Sequence, residues 1–385
     1  MSKIISKNPY TLEINAEFET LSKEQIDEKI NIAHKAYLFW KNLENYEKRK
    51  LFLNLANIID EKKEELAKIE MIEMWMLLSF SIAWLNNTAN LIRWFANNFE
   101  EILKEEEYTT TQWIEVKTQY DPIWVIFWVA PWNFPFNQVL RAAVPNILAW
   151  NTVLYKHASN TPLAWMKIEE LFLEAWFPVW VYQNLMVSSS DSEYIISKKE
   201  IAWVNLTGSE WAWRSIWSLA WKYLKPSVLE LWGNDAFIIA NTTNLKKIAE
   251  EWVKARVSNN WQKCNSSKRF IVMEKHYDEF LKYFVDYTNS LVIWDPSDEK
   301  TQVWPMARED LVEEIDKQVQ KTISEWARLL AWWKKLWEKW YFYAPTVLAD
   351  VTSEMTSYKE EVFGPVASII KVKDFVKIQI TKKSL

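Results

Sequence analysis

What most constrains this chain is a change of pattern near residue 121, where apolar runs suited to strands begin to alternate with amphipathic helical stretches. VIFWV (125–129), TVLYK (152–156) and VYQNLMV (181–187) are separated by helices predicted over 136–147 and 162–174. IAWVNL (201–206), a helix over 210–222, SVLEL (227–231) and a helix over 244–258 continue the series. Strands that are apolar throughout need cover on both faces, which means a parallel sheet flanked by helices. A second α/β stretch starts near 235 with AFIIA and RFIVM, then helices over 276–290 and 310–328, then strands near 343–372. Before the change of pattern, residues 23–105 carry helical periodicity. QWIEVKTQ (112–119) alternates, predicting a strand or hairpin outside the main core. At 385 residues the chain should form two domains, or three, rather than one small core.

Charge and residue usage exclude several function classes. A net charge of −5 argues against nucleic acid as a partner. No apolar run approaches the roughly 18 residues of a membrane span, and the first residues lack the apolar stretch of a signal peptide. The cytoplasm is the expected compartment. A single cysteine rules out an internal disulfide framework and a cysteine-rich metal site, and His34, His157 and His276 show no ligand spacing, so no metal is expected.

The 27 tryptophans and 3 glycines are anomalous, since ordinary usage would supply roughly 27 glycines. The tryptophans stand at turns, in AWNT (149–152), EAWFPVW (174–180), IWDPSD (293–298) and AWWKKLWEKW (331–340). Such turns favour a positive φ that a large side chain resists. UGA codons, which some bacteria reassign to glycine, account for the pattern if read as Trp. Trp40, Trp94 and Trp132 are taken as true tryptophans.

Three residues carry candidate chemistry. A lone cysteine is usually a small buried hydrophobe. Cys264, however, lies among Gln262, Lys263, Asn265, Ser266 and Ser267, where nearby donors would favour a nucleophilic thiolate. Glu230 lies inside an apolar strand that ends at Leu231; it is a satisfied structural carboxylate, the outward face of an edge strand, or a general base near the carboxyl end, where open α/β sheets place their sites. Asn133, in APWNFPF, is an N-cap or turn residue, or an amide donor into an oxyanion site.

In order and spacing, PWNFPF (131–136), NLTGS (205–209), LELWG (229–233), WQKC (261–264) and EEVFGP (360–365) resemble the aldehyde dehydrogenase superfamily. The resemblance strengthens when Trp is read as Gly, giving LELGG, GQKC and, at 329–333, LLAGG. It implies an aldehyde dehydrogenase-like fold: a Rossmann-type parallel-sheet cofactor domain (1–108 and 120–231), an oligomerisation hairpin (109–119) and a second α/β catalytic domain (232–385). The resemblance also implies that Cys264 attacks an aldehyde, that the Asn133 amide and the Cys264 N–H hold the oxyanion, and that Glu230 activates the water that hydrolyses the thioester. NAD or NADP would contact Lys156, Ser159, Gly208, Ser209, Trp132, Glu361 and Phe363. Ser159 stands where NAD-preferring members often carry Glu, so NADP should be tolerated and NAD is not excluded.

Arg141 matches an arginine that clamps the distal carboxylate in semialdehyde-oxidising relatives, and KHASN (156–160) with IEELFLEA (168–175) resembles the bacterial succinate-semialdehyde branch. Arg141 could equally be a helix salt-bridge residue, and Ser258 stands where some of those enzymes carry a second Arg. The resemblance implies a homo-oligomer. It also implies further residues of the catalytic domain beyond Leu385, so that the domain reads as C-terminally incomplete. The competing expectations are a non-catalytic dinucleotide-binding remnant and a cysteine esterase.

Overall fold

The computed structural model describes residues 2–109, 114–231, 233–331 and 341–373. Residues 110–113, Trp232, the stretch 332–340 and the stretch 374–385 lie outside the described residues, as do the side chains of Val257 and Ser258. The chain forms two compact units: Met1–Lys7, Ile14–Glu70 and Ser81–Leu231 make the first, and Asn8–Glu13, Met71–Phe80 and Trp232–Leu385 the second.

Strands β1 (Lys3–Lys7) and β2 (Ile14–Glu19) pair antiparallel and lead into helices α1 (Lys23–Asn42), α2 (Asn45–Met74) and α3 (Leu78–Ile102). α1 starts at a capping box: the Gln25 N–H donates to Ser22 Oγ, and the Ser22 N–H donates to Gln25 Oε1. β3 (Glu106–Thr109) and β4 (Glu115–Thr118) form an antiparallel hairpin, exposed throughout and beginning three residues before 109.

Next come β5 (Val125–Val129), α4 (Pro135–Leu148), β6 (Thr152–Lys156), α5 (Pro162–Glu174), β7 (Tyr182–Asn184), the short α6 (Ser192–Ile196), β8 (Ile201–Thr207), α7 (Glu210–Lys222) and β9 (Ser227–Glu230). The five strands run parallel in the order β7-β6-β5-β8-β9. Val125, Phe127, Leu154, Val204 and Leu206 are buried beneath Ile26, Ile30 and Ala33 of α1 and Ile216 and Ala220 of α7. That burial is why these strands read as unbroken apolar runs. The chain winds from β5 out through β6 to β7, then returns to the other side of β5 as β8 and β9, so the sheet has a topological switch point between β5 and β8.

The second unit contains β10 (Ala236–Ile239), α8 (Leu245–Val257), β11 (Arg269–Met273), α9 (Glu274–Asn289), α10 (Glu309–Ser324), β12 (Arg328–Ala331), β13 (Thr346–Ala349), the short α11 (Thr356–Lys359) and β14 (Val366–Val372). Its sheet has the order β10-β11-β14-β13-β12, parallel except where β12 meets β13. The helix predicted over 310–328 is shorter than expected. It ends at Ser324, because the chain reverses through Trp326 (φ 81°) and Arg328 already belongs to β12.

Six tryptophans (75, 124, 150, 176, 261 and 326) take a positive φ of 58–88°. Four of them follow helices, Trp75 after α2 and the other three at closed caps. The 6→1 bonds Asn151 N–H to Asn146 O, Phe177 N–H to Phe172 O and Ala327 N–H to Thr322 O close α4, α5 and α10 as Schellman caps, with Trp150, Trp176 and Trp326 at the left-handed position where glycine is usual. The backbone at these six positions agrees with the glycine reading. Trp180 and Trp294, expected to behave alike, have ordinary negative φ. Trp40 is a packed residue, fully buried with its indole N–H donating to Ile147 O at 2.7 Å.

Candidate active site

In the first unit, the carboxyl edge of the parallel sheet gathers most of the predicted positions. β5 delivers Trp132 and the buried Asn133 into the turn before α4. β6 ends at Lys156, paired with Val129, and leads to the exposed turn residue Ser159. β8 leads through Gly208 to Ser209, and β9 ends at Glu230, paired with Thr207. The Gly208 N–H donates to Glu230 O at 3.3 Å, joining those two loops.

Ser209 caps α7, its hydroxyl accepting from the Ala212 N–H at 3.4 Å. The backbone N–H groups of that first turn and the positive end of the helix dipole suit a phosphate. Lys156 is 8% exposed, and among the described residues its ammonium donates only to His157 O, at 3.3 Å. Burial pushes its pKa down to about 8, Asp191 opposing the shift. A buried ammonium with one acceptor and two donor positions to spare fits a ribose hydroxyl or a phosphate oxygen.

Glu230 ends an edge strand, as one sequence reading allowed, and it is paired. Arg141, on α4, puts Nη2 2.9 Å from Oε1 and 2.7 Å from Oε2 of Glu230. Arg141 is thus ion-paired, with a partner that the sequence could not name. Arg141 also lines a 510 Å³ cavity with Trp84, Asn87, Leu91 and Phe95 of α3 and Asn137 of α4. Asn137 Nδ2 donates to Thr88 Oγ1 at 2.7 Å, fixing α4 against α3, and Trp84 packs on Phe134 with ring centroids 4.8 Å apart.

The predicted constellation is divided between units, because Cys264, Glu361 and Phe363 belong to the second. Cys264 lies in a turn after three consecutive left-handed residues: Asn259 (φ 54°), Asn260 (φ 50°) and Trp261 (φ 65°). Asn tolerates this conformation, whereas Trp does not. Buried Gln262 anchors the run by accepting from the Ala307 N–H at 3.0 Å. Burial holds the Lys263 pKa below the usual lysine range, Cys264 opposing and Arg256 reinforcing the shift.

Sequence reasoning missed the polar frame behind this turn. Lys268 Nζ donates to Cys264 O and lies 2.6 Å from Glu361 Oε1, the Lys268 side chain buried and that of Glu361 13% exposed. Burial raises the Glu361 pKa, while Lys268, the Gly233 N–H and Arg256 lower it. The buried Arg256 reaches Val362 O, Gly364 O and Val366 O at 3.4, 3.3 and 3.0 Å and so holds the loop carrying Phe363. A Cβ on Gly364 would lie 2.2 Å from Ile315 Cδ1, so a larger residue there would require the Ile315 side chain to move. The only sequence signal for this frame was the presence of charged residues in apolar surroundings.

The aldehyde dehydrogenase family model matches residues 2–381. An enzyme of Mycobacterium avium named succinate-semialdehyde dehydrogenase, NADP(+), is 35% identical over 374 residues, covering 96% of this chain and 79% of its own length. A Mycobacterium tuberculosis protein named succinate-semialdehyde dehydrogenase, NADP(+), 1 is 34% identical over 370 residues, covering 96% and 81%. The crystal structure of the Streptococcus pyogenes succinic semialdehyde dehydrogenase in complex with NADP+ superposes with a TM-score of 0.95 at 29% identity, over 98% of this chain and 83% of that one. The chain belongs to the aldehyde dehydrogenase family and has its α/β fold. A match of this extent fits an enzyme rather than a dinucleotide-binding remnant. No helix among the described residues is long and apolar enough to cross a membrane.

Proposed function

We propose that this protein oxidises succinate semialdehyde to succinate with NADP or NAD, through a covalent thioester on Cys264. The observation that carries the substrate is Arg141: a guanidinium lining an otherwise apolar and amide-lined cavity beside the Asn133 turn. A cation placed there suits an aldehyde with a carboxylate at its far end. The names of the relatives agree with this substrate.

In this reading Cys264 Sγ attacks the aldehyde carbon, and the Asn133 amide and the Cys264 N–H hold the resulting oxyanion. The nicotinamide, when bound, supplies the hydride acceptor. Glu230 takes a proton from the water that hydrolyses the thioester. Lys156, Ser209 and Gly208 hold the adenosine and pyrophosphate side, and Trp132, Glu361 and Phe363 the nicotinamide side. An acidic side chain at 159 would repel a 2′-phosphate, and Ser159 carries none. Residues 1–108 and 120–231 then serve as the cofactor domain and 232–385 as the catalytic domain. The exposed β3–β4 hairpin supplies the contact of a cytoplasmic homo-oligomer, to be checked by light scattering with and without residues 106–118.

The test is NADPH formation from succinate semialdehyde. Cys264→Ser should abolish turnover while NADP still binds; turnover equal to that of the parent protein refutes the covalent route.

A further inference from the structure

The Arg141–Glu230 pair joins two residues that the proposed function uses for different tasks. One recognises the substrate's distal carboxylate, and the other serves as base for the hydrolytic water. Both Glu230 oxygens lie within 2.9 Å of a single Arg141 nitrogen, so the carboxylate that should accept a proton is held by a cation. Among the described residues Glu230 is the only ionic partner of Arg141. The side chains are 39% and 46% exposed, so the pair is solvent-screened and readily exchanged for another carboxylate. Glu230 ends an edge strand, where its side chain can swing without breaking the ladder, and Arg141 projects from α4 into the cavity.

Resting on the semialdehyde reading above, we propose that the Arg141–Glu230 ion pair is a substrate-operated latch. When the distal carboxylate of the substrate takes Arg141, Glu230 is released to act as base. Glu230 then takes a proton from water, the hydroxyl oxygen bonds to the thioester carbon, the C–S bond breaks and its electron pair returns to the Cys264 sulfur. An aldehyde without a distal carboxylate acylates Cys264 but leaves Glu230 latched, so hydrolysis lags. Substrate selection thus extends from binding to the second chemical step.

The test compares succinate semialdehyde with butanal, its isostere lacking the carboxylate, on the NADP-loaded enzyme in stopped flow. With butanal the parent enzyme should give a burst of NADPH followed by slow turnover. Arg141→Met should speed that slow phase by about threefold to fivefold, the scale of one exposed ion pair, while raising KM for the semialdehyde. Propionate added with acetaldehyde should speed the slow phase of the parent enzyme and have no effect on Arg141→Met. Absence of a burst with butanal, or a slow phase that both Arg141→Met and propionate leave unchanged, overturns the latch. Glu230→Gln tested with the semialdehyde separates the two ideas. A retained burst with lost turnover upholds Glu230 as base whatever the fate of the latch, and parent-like turnover removes the reading on which the latch rests.

Discussion

At the scale of single residues, burial changes the proton affinity of Lys156, Lys268 and Glu361. Lys156 titrates near 8 because it is buried with one acceptor. Below that pH it is already charged when the nucleotide arrives, and a 2′-phosphate favours the charged form and raises its pKa in the complex. NADP affinity should therefore be full below about 8 and fall as pH rises from there toward the pKa in the complex, with NAD less affected. Calorimetric dissociation constants from neutral to alkaline pH measure this, and parallel profiles for the two nucleotides count against it. Lys268 and Glu361 form a buried pair, so Lys268→Met strands a carboxylate and should cost about 3 kcal/mol in urea unfolding. The double variant with Glu361→Gln should recover part of that loss, and equal losses in both would dissolve the pair as a unit. Cys264, Asn133 and Glu230 stand out in the sequence as candidates because each is conspicuous among its immediate neighbours. The partners Arg141–Glu230 and Lys268–Glu361 were not, because nothing local records a contact between residues so far apart in the chain.

Element boundaries followed the periodicity wherever a helix packs on a sheet. The stretches predicted over 162–174 and 210–222 are α5 and α7 residue for residue. Periodicity failed where the chain turns. VYQNLMV supplies only the three strand residues Tyr182–Asn184, and α10 stops four residues early. The Schellman caps of α5 and α10 carry Trp176 and Trp326 in the left-handed region, with 81% and 90% of each side chain exposed. Neither indole packs enough to offset a conformational cost of about 1–2 kcal/mol. Trp176→Gly and Trp326→Gly should each raise stability by about that amount, seen as a rise of several degrees in melting temperature. An unchanged or lower value would mean that the indoles make contacts that compensate.

For the whole molecule, the glycine reading predicts an intact mass lower by about 129 Da for each tryptophan that is natively glycine, when the protein is made by its own translation apparatus. Mass spectrometry decides it, and a mass equal to that of the written sequence refutes it. The sequence by itself determined the α/β class, the parallel strands and the likeness to aldehyde dehydrogenases. Those properties follow from hydrophobic period and from short motifs, both of which are local. Only the tertiary structure decided the strand order, the gathering of Asn133, Lys156, Ser209 and Glu230 on one sheet edge, and the pairing of Arg141 with Glu230. Strand order depends on how crossovers wind, and side-chain partnership on distances in space, and one-dimensional spacing encodes neither.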